Sequence, residues 1–117
     1  VVWSVDKAQW DIRQVAPYSD RFDTIFCTEV LEHLFPHESQ IALANLWGAL
    51  KPGGTLIVTV PNRHCFEITS TRARWDWPDH KQYFTYPGLL HALHRQFKTV
   101  MVEPIVDGIW LGAVCVK

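Results

Sequence analysis

Glutamate and histidine side chains occur at two places in this 117-residue sequence where their spacing suggests acid–base or metal chemistry. Glu29, Glu32 and His33 directly follow an apolar run, and His80 lies in a long segment rich in aromatic and charged residues. An imidazole titrates near neutral pH, so His33 and His80 are the candidate general bases. Carboxylates and imidazoles gathered at one end of a strand could instead hold a divalent metal, with Glu29, Glu32, His33 and His80 as its ligands.

The segment 63–83 combines aromatic and basic side chains, and it is long for a connection inside one domain. Long loops of this kind often act as lids over a site. Trp75, Trp77 and Tyr83 could bind an apolar or planar molecule, and Arg63 could clamp an anionic group. These four residues are the candidate substrate-binding residues. A small local core with solvated charges explains the same composition equally well.

Composition limits the class of protein. The chain has the length of one ordinary domain, and its 48% hydrophobic and 20% charged residues exclude a disordered protein. No apolar run approaches the ~20 residues of a membrane-spanning helix. A net charge of −1 provides no basic surface for sequence-independent nucleic-acid binding. The three cysteines form no CxxC pair, so we expect no disulfide framework and a reducing, cytoplasmic location.

The chemistry-bearing residues need a scaffold, and apolar patterns with turn residues outline one. Pro36 suits a first helical turn, Lys51-Pro52-Gly53-Gly54 would end that helix, and Thr85 would cap the next. An Asp-Gly pair between two apolar runs predicts a two-residue hairpin loop near residue 108. The predicted elements are strands over residues 1–5, 23–28, 55–60, 99–103 and 110–116, and helices over residues 37–50 and 87–97.

These elements predict an α/β fold. Strands that alternate with helices pair in parallel, and the final hairpin adds one antiparallel strand to the sheet. The strand at 23–28 lacks polar alternation and is expected to be covered on both faces. The buried stripe of the first helix is predicted to consist of Ile41, Ala44, Leu46, Trp47 and Leu50. Ligands in such sheets bind beyond the carboxyl ends of the strands, which selects the regions around residues 11, 28–33 and 61–80.

Four motifs in order give the chain a resemblance to a known family. Residues 22–33 read FDTIFCTEVLEH, residues 50–56 read LKPGGTL, residues 58–62 read VTVPN, and Asp79-His80 precedes Phe84-Thr85. This series resembles the fourth strand, the following turn, the fifth strand and the next helix start of class I S-adenosylmethionine-dependent methyltransferases. The resemblance implies a Rossmann-like, mostly parallel sheet with a C-terminal antiparallel hairpin, and S-adenosylmethionine as the cofactor.

The chain departs from this family at its front. The family begins with a strand, a glycine-rich loop and a second strand that ends in an acidic residue, whereas the first glycine here is Gly48. Residues 1–117 therefore resemble a partial methyltransferase domain, from the third strand onward, with 63–83 as a substrate-side loop or lid. The N-terminal strands and glycine-rich loop would be missing. Ile25 and Phe26 are then expected to face a segment that this sequence does not contain.

The resemblance also implies cofactor-binding residues. Asp11 lies as far before Phe22 as the family's acidic residue after the third strand, which would accept a hydrogen bond from the adenine amino group. Ile12 would cover the adenine ring. Thr28 and Glu29 correspond to the strand end that receives the ammonium group of the methionine moiety. Their alternatives are a solvated loop acid at Asp11 and simple capping at the strand end.

Three functions remain open from the sequence. The first is methyl transfer to a small-molecule acceptor by the intact protein. The second is a metal-assisted 2′-O-methyltransferase acting on RNA ribose, because small-RNA methyltransferases of that type show a similar E-x-x-E-H and downstream D-H. The same E-V-L-E-H is widespread in metal-free members, so no metal is the first expectation, and the neutral charge makes nucleic acid an unlikely partner. The third is an inactive fragment that binds no cofactor alone and self-associates through an exposed sheet edge.

Overall fold

The computed structural model describes residues 10–68 and 79–117. The predicted strand at residues 1–5 and the candidates Trp75 and Trp77 lie outside these ranges. The described elements are β1 (Phe22–Thr28), a 3-10 turn (Leu31–His33), α1 (Pro36–Ala49), β2 (Leu50–Pro61), α2 (Arg63–Ile68), α3 (Tyr86–His94), β3 (Thr99–Ile105) and β4 (Trp110–Val116).

The strands form one sheet in the order β1-β2-β4-β3. β1 and β2 pair in parallel, and β4 is antiparallel to both of its neighbours. β1, β2 and β3 therefore run the same way and β4 runs against them. This arrangement confirms the predicted α/β fold with one antiparallel strand from the terminal hairpin.

The hydrophobic core described here lies against one face of the sheet. Leu56, Val58 and Val60 of β2 are fully buried, whereas the residues that alternate with them are half-buried. The strand β1 differs from its prediction, because Cys27 is its only buried residue and Phe26 is 69% exposed. Within the described residues β1 pairs with β2 alone and is therefore the edge strand of the described sheet.

Helix α1 begins as predicted but buries a different stripe. The backbone N–H of Phe35 donates to Glu38 Oε1 at 3.0 Å, which caps the first turn around Pro36. The prediction of the stripe was wrong for Ile41, Ala44 and Trp47, which are exposed. The stripe that packs on the sheet consists of Ser39, Ala42, Leu43, Leu46 and Ala49, followed by Leu50.

The turn expected at Lys51-Pro52-Gly53-Gly54 is instead part of β2. Pairing with β1 shifts register here, because Phe22 pairs with Leu50 while Thr24 pairs with Thr55. Gly53 absorbs this bulge with a φ of +78°. The strand therefore starts five residues before its predicted position, since a bulge lets a glycine-rich segment remain paired.

Three further boundaries differ from prediction. The start of the 63–83 segment is not irregular, because Arg63–Ile68 forms α2. Helix α3 ends at His94 instead of residue 97, although Thr85 caps it as predicted by accepting from the Gly88 N–H at 3.1 Å. The hairpin loop has four residues instead of two, because Ile105 pairs with Trp110. Val106 and Asp107 both take positive φ values in that loop.

Candidate functional site

The carboxyl end of β1 forms a strained turn that opens the candidate site. Glu29 has a φ of +55°, a left-handed conformation that is uncommon for residues with a side chain and is concentrated at functional sites. Its backbone N–H donates to Thr59 O at 3.0 Å, and Thr59 Oγ1 donates to Glu29 Oε1 at 3.2 Å. These two bonds to the end of β2 hold the turn in place, so Thr28 and Glu29 lie exposed at the strand end, where the sequence predicted them.

The turn after Glu29 brings the two candidate histidines together. His33 and His80 lie with ring centroids 4.8 Å apart in an edge-to-face arrangement. His33 Nδ1 lies 3.1 Å from Asp79 O, close enough for a hydrogen bond, and His80 contacts the Tyr83 ring at a centroid distance of 6.3 Å. Burial, followed by the nearby His33, lowers the pKa of His80, which favours the neutral form of its imidazole.

The backbone around the turn fixes this pairing. Glu32 O accepts hydrogen bonds from the backbone N–H groups of Lys81 at 2.7 Å and Gln82 at 3.3 Å. The side-chain amide of Gln82 donates to Leu31 O at 3.0 Å and to Leu34 O at 2.8 Å. The segment with His80 is thus attached to the turn with His33. Sequence reasoning did not find the role of Gln82, because no local pattern marks a side chain that bonds backbone carbonyls about fifty residues away.

Glu32 is the most deeply buried charged residue among the described side chains, with 1% of its surface exposed. Within the described part of the chain, neither of its carboxylate oxygens has a hydrogen-bond partner. Burial, with the neighbouring Glu29 carboxylate adding repulsion, raises the pKa of Glu32 to about 8. Burial, with a smaller contribution from Glu32, also raises the pKa of the Cys27 thiol to about 12.

The alternative metal set from the sequence comes together only in part. Ligand atoms of Glu32, His33 and His80 all lie within 4.8 Å of one another. Glu29 does not join this group in the described structure; its carboxylate accepts from Thr59 instead. The arrangement could bind a divalent cation or, with His80 neutral, accept a proton from a nearby hydroxyl group.

The candidate adenine contact, Asp11, forms an ion pair. Arg13 Nη2 lies 2.6 Å from Asp11 Oδ2, and Arg13 Nη1 lies 3.0 Å from Glu38 Oε2 on α1. The Ile12 backbone O accepts a hydrogen bond from Asn45 Nδ2 at 2.9 Å, so the turn around Asp11 is anchored to α1. The Asp11 carboxylate also accepts from the Arg13 backbone N–H at 3.0 Å and from Arg13 Nε at 3.0 and 3.2 Å, so an adenine amino group would have to share these oxygens with Arg13.

Two of the candidate acceptor-binding residues, Arg63 and Tyr83, lie among the described residues. Arg63 is exposed at the start of α2, its backbone N–H donating to Phe84 O at 2.9 Å, and Tyr83 is 39% exposed beside His80. A groove of about 390 Å³ that sequence reasoning missed opens beyond β2; it is lined by Asn62, His64, Thr85, Tyr86, Pro87, Pro104 and Leu111. Asn62 is buried there, its side-chain amide donating to Gly108 O at 2.9 Å.

The strand order, with one antiparallel strand and the candidate site at the carboxyl end of β1, is that of a Rossmann-like α/β domain. Residues 2–100 match the family model described as a methyltransferase domain, so the chain belongs to that methyltransferase family. The search of curated proteins found no match.

Solved structures of methyltransferases share this fold. A SAM-dependent methyltransferase from Archaeoglobus fulgidus has a TM-score of 0.70 at 15% identity, with 85% of this chain and 61% of that chain covered. A SAM-dependent methyltransferase from Thermotoga maritima has a TM-score of 0.67 at 14% identity, with 91% of this chain and 61% of that chain covered. An O-methyltransferase family protein from Burkholderia thailandensis has a TM-score of 0.65 at 14% identity, with 92% of this chain and 33% of that chain covered. The chain thus spans between a third and three-fifths of these proteins.

Proposed function

We propose that the intact protein transfers a methyl group from S-adenosylmethionine to a small-molecule acceptor. The observation that carries this proposal is the pairing of His33 with His80 beside the strained turn at Glu29, at the carboxyl end of β1. In a parallel α/β sheet this end is where ligands bind. The membership of a methyltransferase family gives that site its reaction class.

The cofactor contacts proposed for this chain are to the adenine ring and to the ammonium group of the methionine moiety. Asp11 would accept from the adenine amino group, with Ile12 against the ring. Thr28 and Glu29 would receive the ammonium group, since the exposed strand end and the Glu29 carboxylate offer acceptors for a cation. The sulfonium of the cofactor supplies the activated methyl group. The first glycine of the sequence is Gly48, so the glycine-rich part of the family's cofactor site is not among these residues.

The acceptor would bind near His80 and Tyr83, with Arg63, Trp75 and Trp77 as the further substrate-binding candidates. A neutral imidazole can remove the proton of a hydroxyl acceptor, and the lowered pKa of His80 supports that role. The net charge of −1 favours a small molecule over RNA as the acceptor. RNA ribose stays the second candidate, because Glu32, His33 and His80 lie close enough together to hold a metal ion.

The surroundings of the protein are also proposals. We propose a cytoplasmic protein that does not act at a membrane. Among the helices of the described residues, none combines the length and the apolar character needed to cross a bilayer. The edge of β1 that has no partner strand among the described residues supports self-association through strand pairing as a further proposal.

Calorimetric titration of the protein with S-adenosylhomocysteine tests the cofactor assignment. We expect binding in the micromolar range, weakened at least about tenfold by Asp11→Asn, because the amide loses the charge that strengthens the hydrogen bond. Asp107→Asn is the matched control, since Asp107 is exposed in the β3–β4 loop. The absence of binding by the unchanged protein would contradict the proposal for this chain and favour an inactive fragment.

A further inference from the structure

We propose that Glu32, His33 and His80 form a binding site for one divalent transition-metal ion. The ligand atoms of the three side chains already lie within 4.8 Å of one another. Binding of the ion depends only on these three side chains and their surroundings, and only its catalytic consequence rests on the proposed methyl transfer.

The hydrogen bond of His33 orients its ring as a metal ligand. Nδ1 lies 3.1 Å from the Asp79 backbone O, and a carbonyl oxygen can only accept, so Nδ1 carries the proton. In the neutral ring Nε2 then bears a lone pair, and it points toward Glu32, with 3.7 Å between Nε2 and Oε1. A histidine that binds a metal through one nitrogen characteristically donates its other N–H to a carbonyl or carboxylate.

The distances fit a cation better than a direct bond. At 3.7 Å, His33 Nε2 and Glu32 Oε1 are too far apart for a hydrogen bond. Two ligand atoms bound about 2.1 Å from one metal lie about 3.0 to 4.2 Å apart, depending on the angle between them. The widest separation in the set, within 4.8 Å, therefore closes with a side-chain movement of under about 1 Å.

The burial of Glu32 is the second, independent observation. Three polar or charged residues are buried in the described structure, and two of them have protein partners: Ser39 donates to Pro36 O at 2.8 Å, and Asn62 donates to Gly108 O. Neither carboxylate oxygen of Glu32 has a partner among the described residues. A buried carboxylate without a partner destabilises a protein unless it holds a proton or a cation compensates its charge. A divalent ion at His33 and His80 would provide that compensation.

The ligand set selects the class of ion. Two imidazoles and one carboxylate suit Zn²⁺, Fe²⁺, Co²⁺ or Mn²⁺, whereas Mg²⁺ and Ca²⁺ prefer sites made of oxygen ligands. Three protein ligands leave at least one coordination position open. If methyl transfer occurs here, an acceptor hydroxyl in that position would lose its proton more readily, and His33 and His80 would act as ligands instead of free bases.

Metal titration of the EDTA-treated and desalted protein tests the site in the absence of S-adenosylmethionine. We expect one equivalent of Co²⁺ to bind with a visible spectrum typical of nitrogen and oxygen ligation, and Zn²⁺ to displace it. Glu32→Gln and His80→Ala should each weaken Co²⁺ binding by more than about tenfold. His91→Ala is the matched control, because His91 is exposed on α3 and should leave binding unchanged.

The outcomes separate this proposal from the methyltransferase proposal. The absence of Co²⁺ binding, or equal binding by the unchanged protein and both variants, would overturn the metal site and leave S-adenosylhomocysteine binding unaffected. Because Glu32 is buried, circular dichroism should first establish that the Glu32→Gln protein is folded. His80 is only half-buried, so His80→Ala provides the same test even if the Glu32→Gln protein fails to fold.

Discussion

The buried carboxyl of Glu32 makes a quantitative prediction about stability in the absence of metal. Its pKa is about 8 in the folded protein and 4.5 in the unfolded chain. The folded state therefore holds its proton more tightly, so the stabilisation is complete below about pH 4.5 and is lost as the pH rises through about 8. Between these two pH values the free energy of unfolding falls by about 1.4 kcal/mol per pH unit, which amounts to about 5 kcal/mol in total.

Glu32→Gln removes this dependence while it preserves the shape of the side chain. In EDTA, the free energy of unfolding of the variant minus that of the unchanged protein should rise by about 4 kcal/mol between about pH 5 and pH 8. Urea unfolding followed by tryptophan fluorescence measures the difference. Titratable groups near Glu32 belong to Glu29, His33, His80 and Cys27, and all of them are retained in the variant.

The control for this measurement is Glu103→Gln, which removes an exposed carboxyl on β3. Its effect on the free energy of unfolding should stay within about 0.5 kcal/mol at every pH. A constant difference between the Glu32→Gln variant and the unchanged protein across this pH range would refute the reasoning, because a carboxyl that ionises normally in the folded state contributes no such slope.

Two further substitutions test the scaffold by urea unfolding. Gly54→Ala would place a Cβ 2.8 Å from Lys51 O, a backbone atom that cannot rotate away, and should lower the free energy of unfolding by about 2 kcal/mol. Gly48→Ala, whose Cβ meets nothing within 4 Å, should instead raise it by about 0.5 kcal/mol by stabilising helix α1. Equal effects of the two would contradict the assigned contacts. Asn45→Ala removes the donor to Ile12 O and should cost about 1 to 2 kcal/mol, with faster amide exchange in the turn around Asp11; unchanged exchange there would mean that this turn does not depend on α1.

Local patterns predicted the elements whose signals lie within a few residues. Pro36 and Thr85 marked the starts of α1 and α3 because proline favours the first helical turn and a threonine hydroxyl can accept from a free helix N–H. The α/β class and the single antiparallel strand of the described sheet followed from the alternation of strands and helices and from the terminal hairpin.

Other features depend on partners that are distant in sequence. The segment around Gly53 reads as a turn, yet pairing with β1 keeps it in β2. Trp47 reads as a core residue, yet it is exposed, and Lys117 Nζ lies 4.1 Å from the centroid of its ring. The isolation of the Glu32 carboxyl could not be predicted, because it depends on which side chains fail to approach it in the folded protein.

The position of β4 within the sheet constrains the order in which the protein can assemble during synthesis. β4 lies between β2 and β3 in space but follows both of them along the chain. On the ribosome, β1 and β2 can pair as soon as they emerge, whereas β3 has no neighbouring strand in the described sheet until β4 is made. The nascent chain therefore exposes the open edge of β2 and an unpaired β3 until Trp110–Val116 inserts between them.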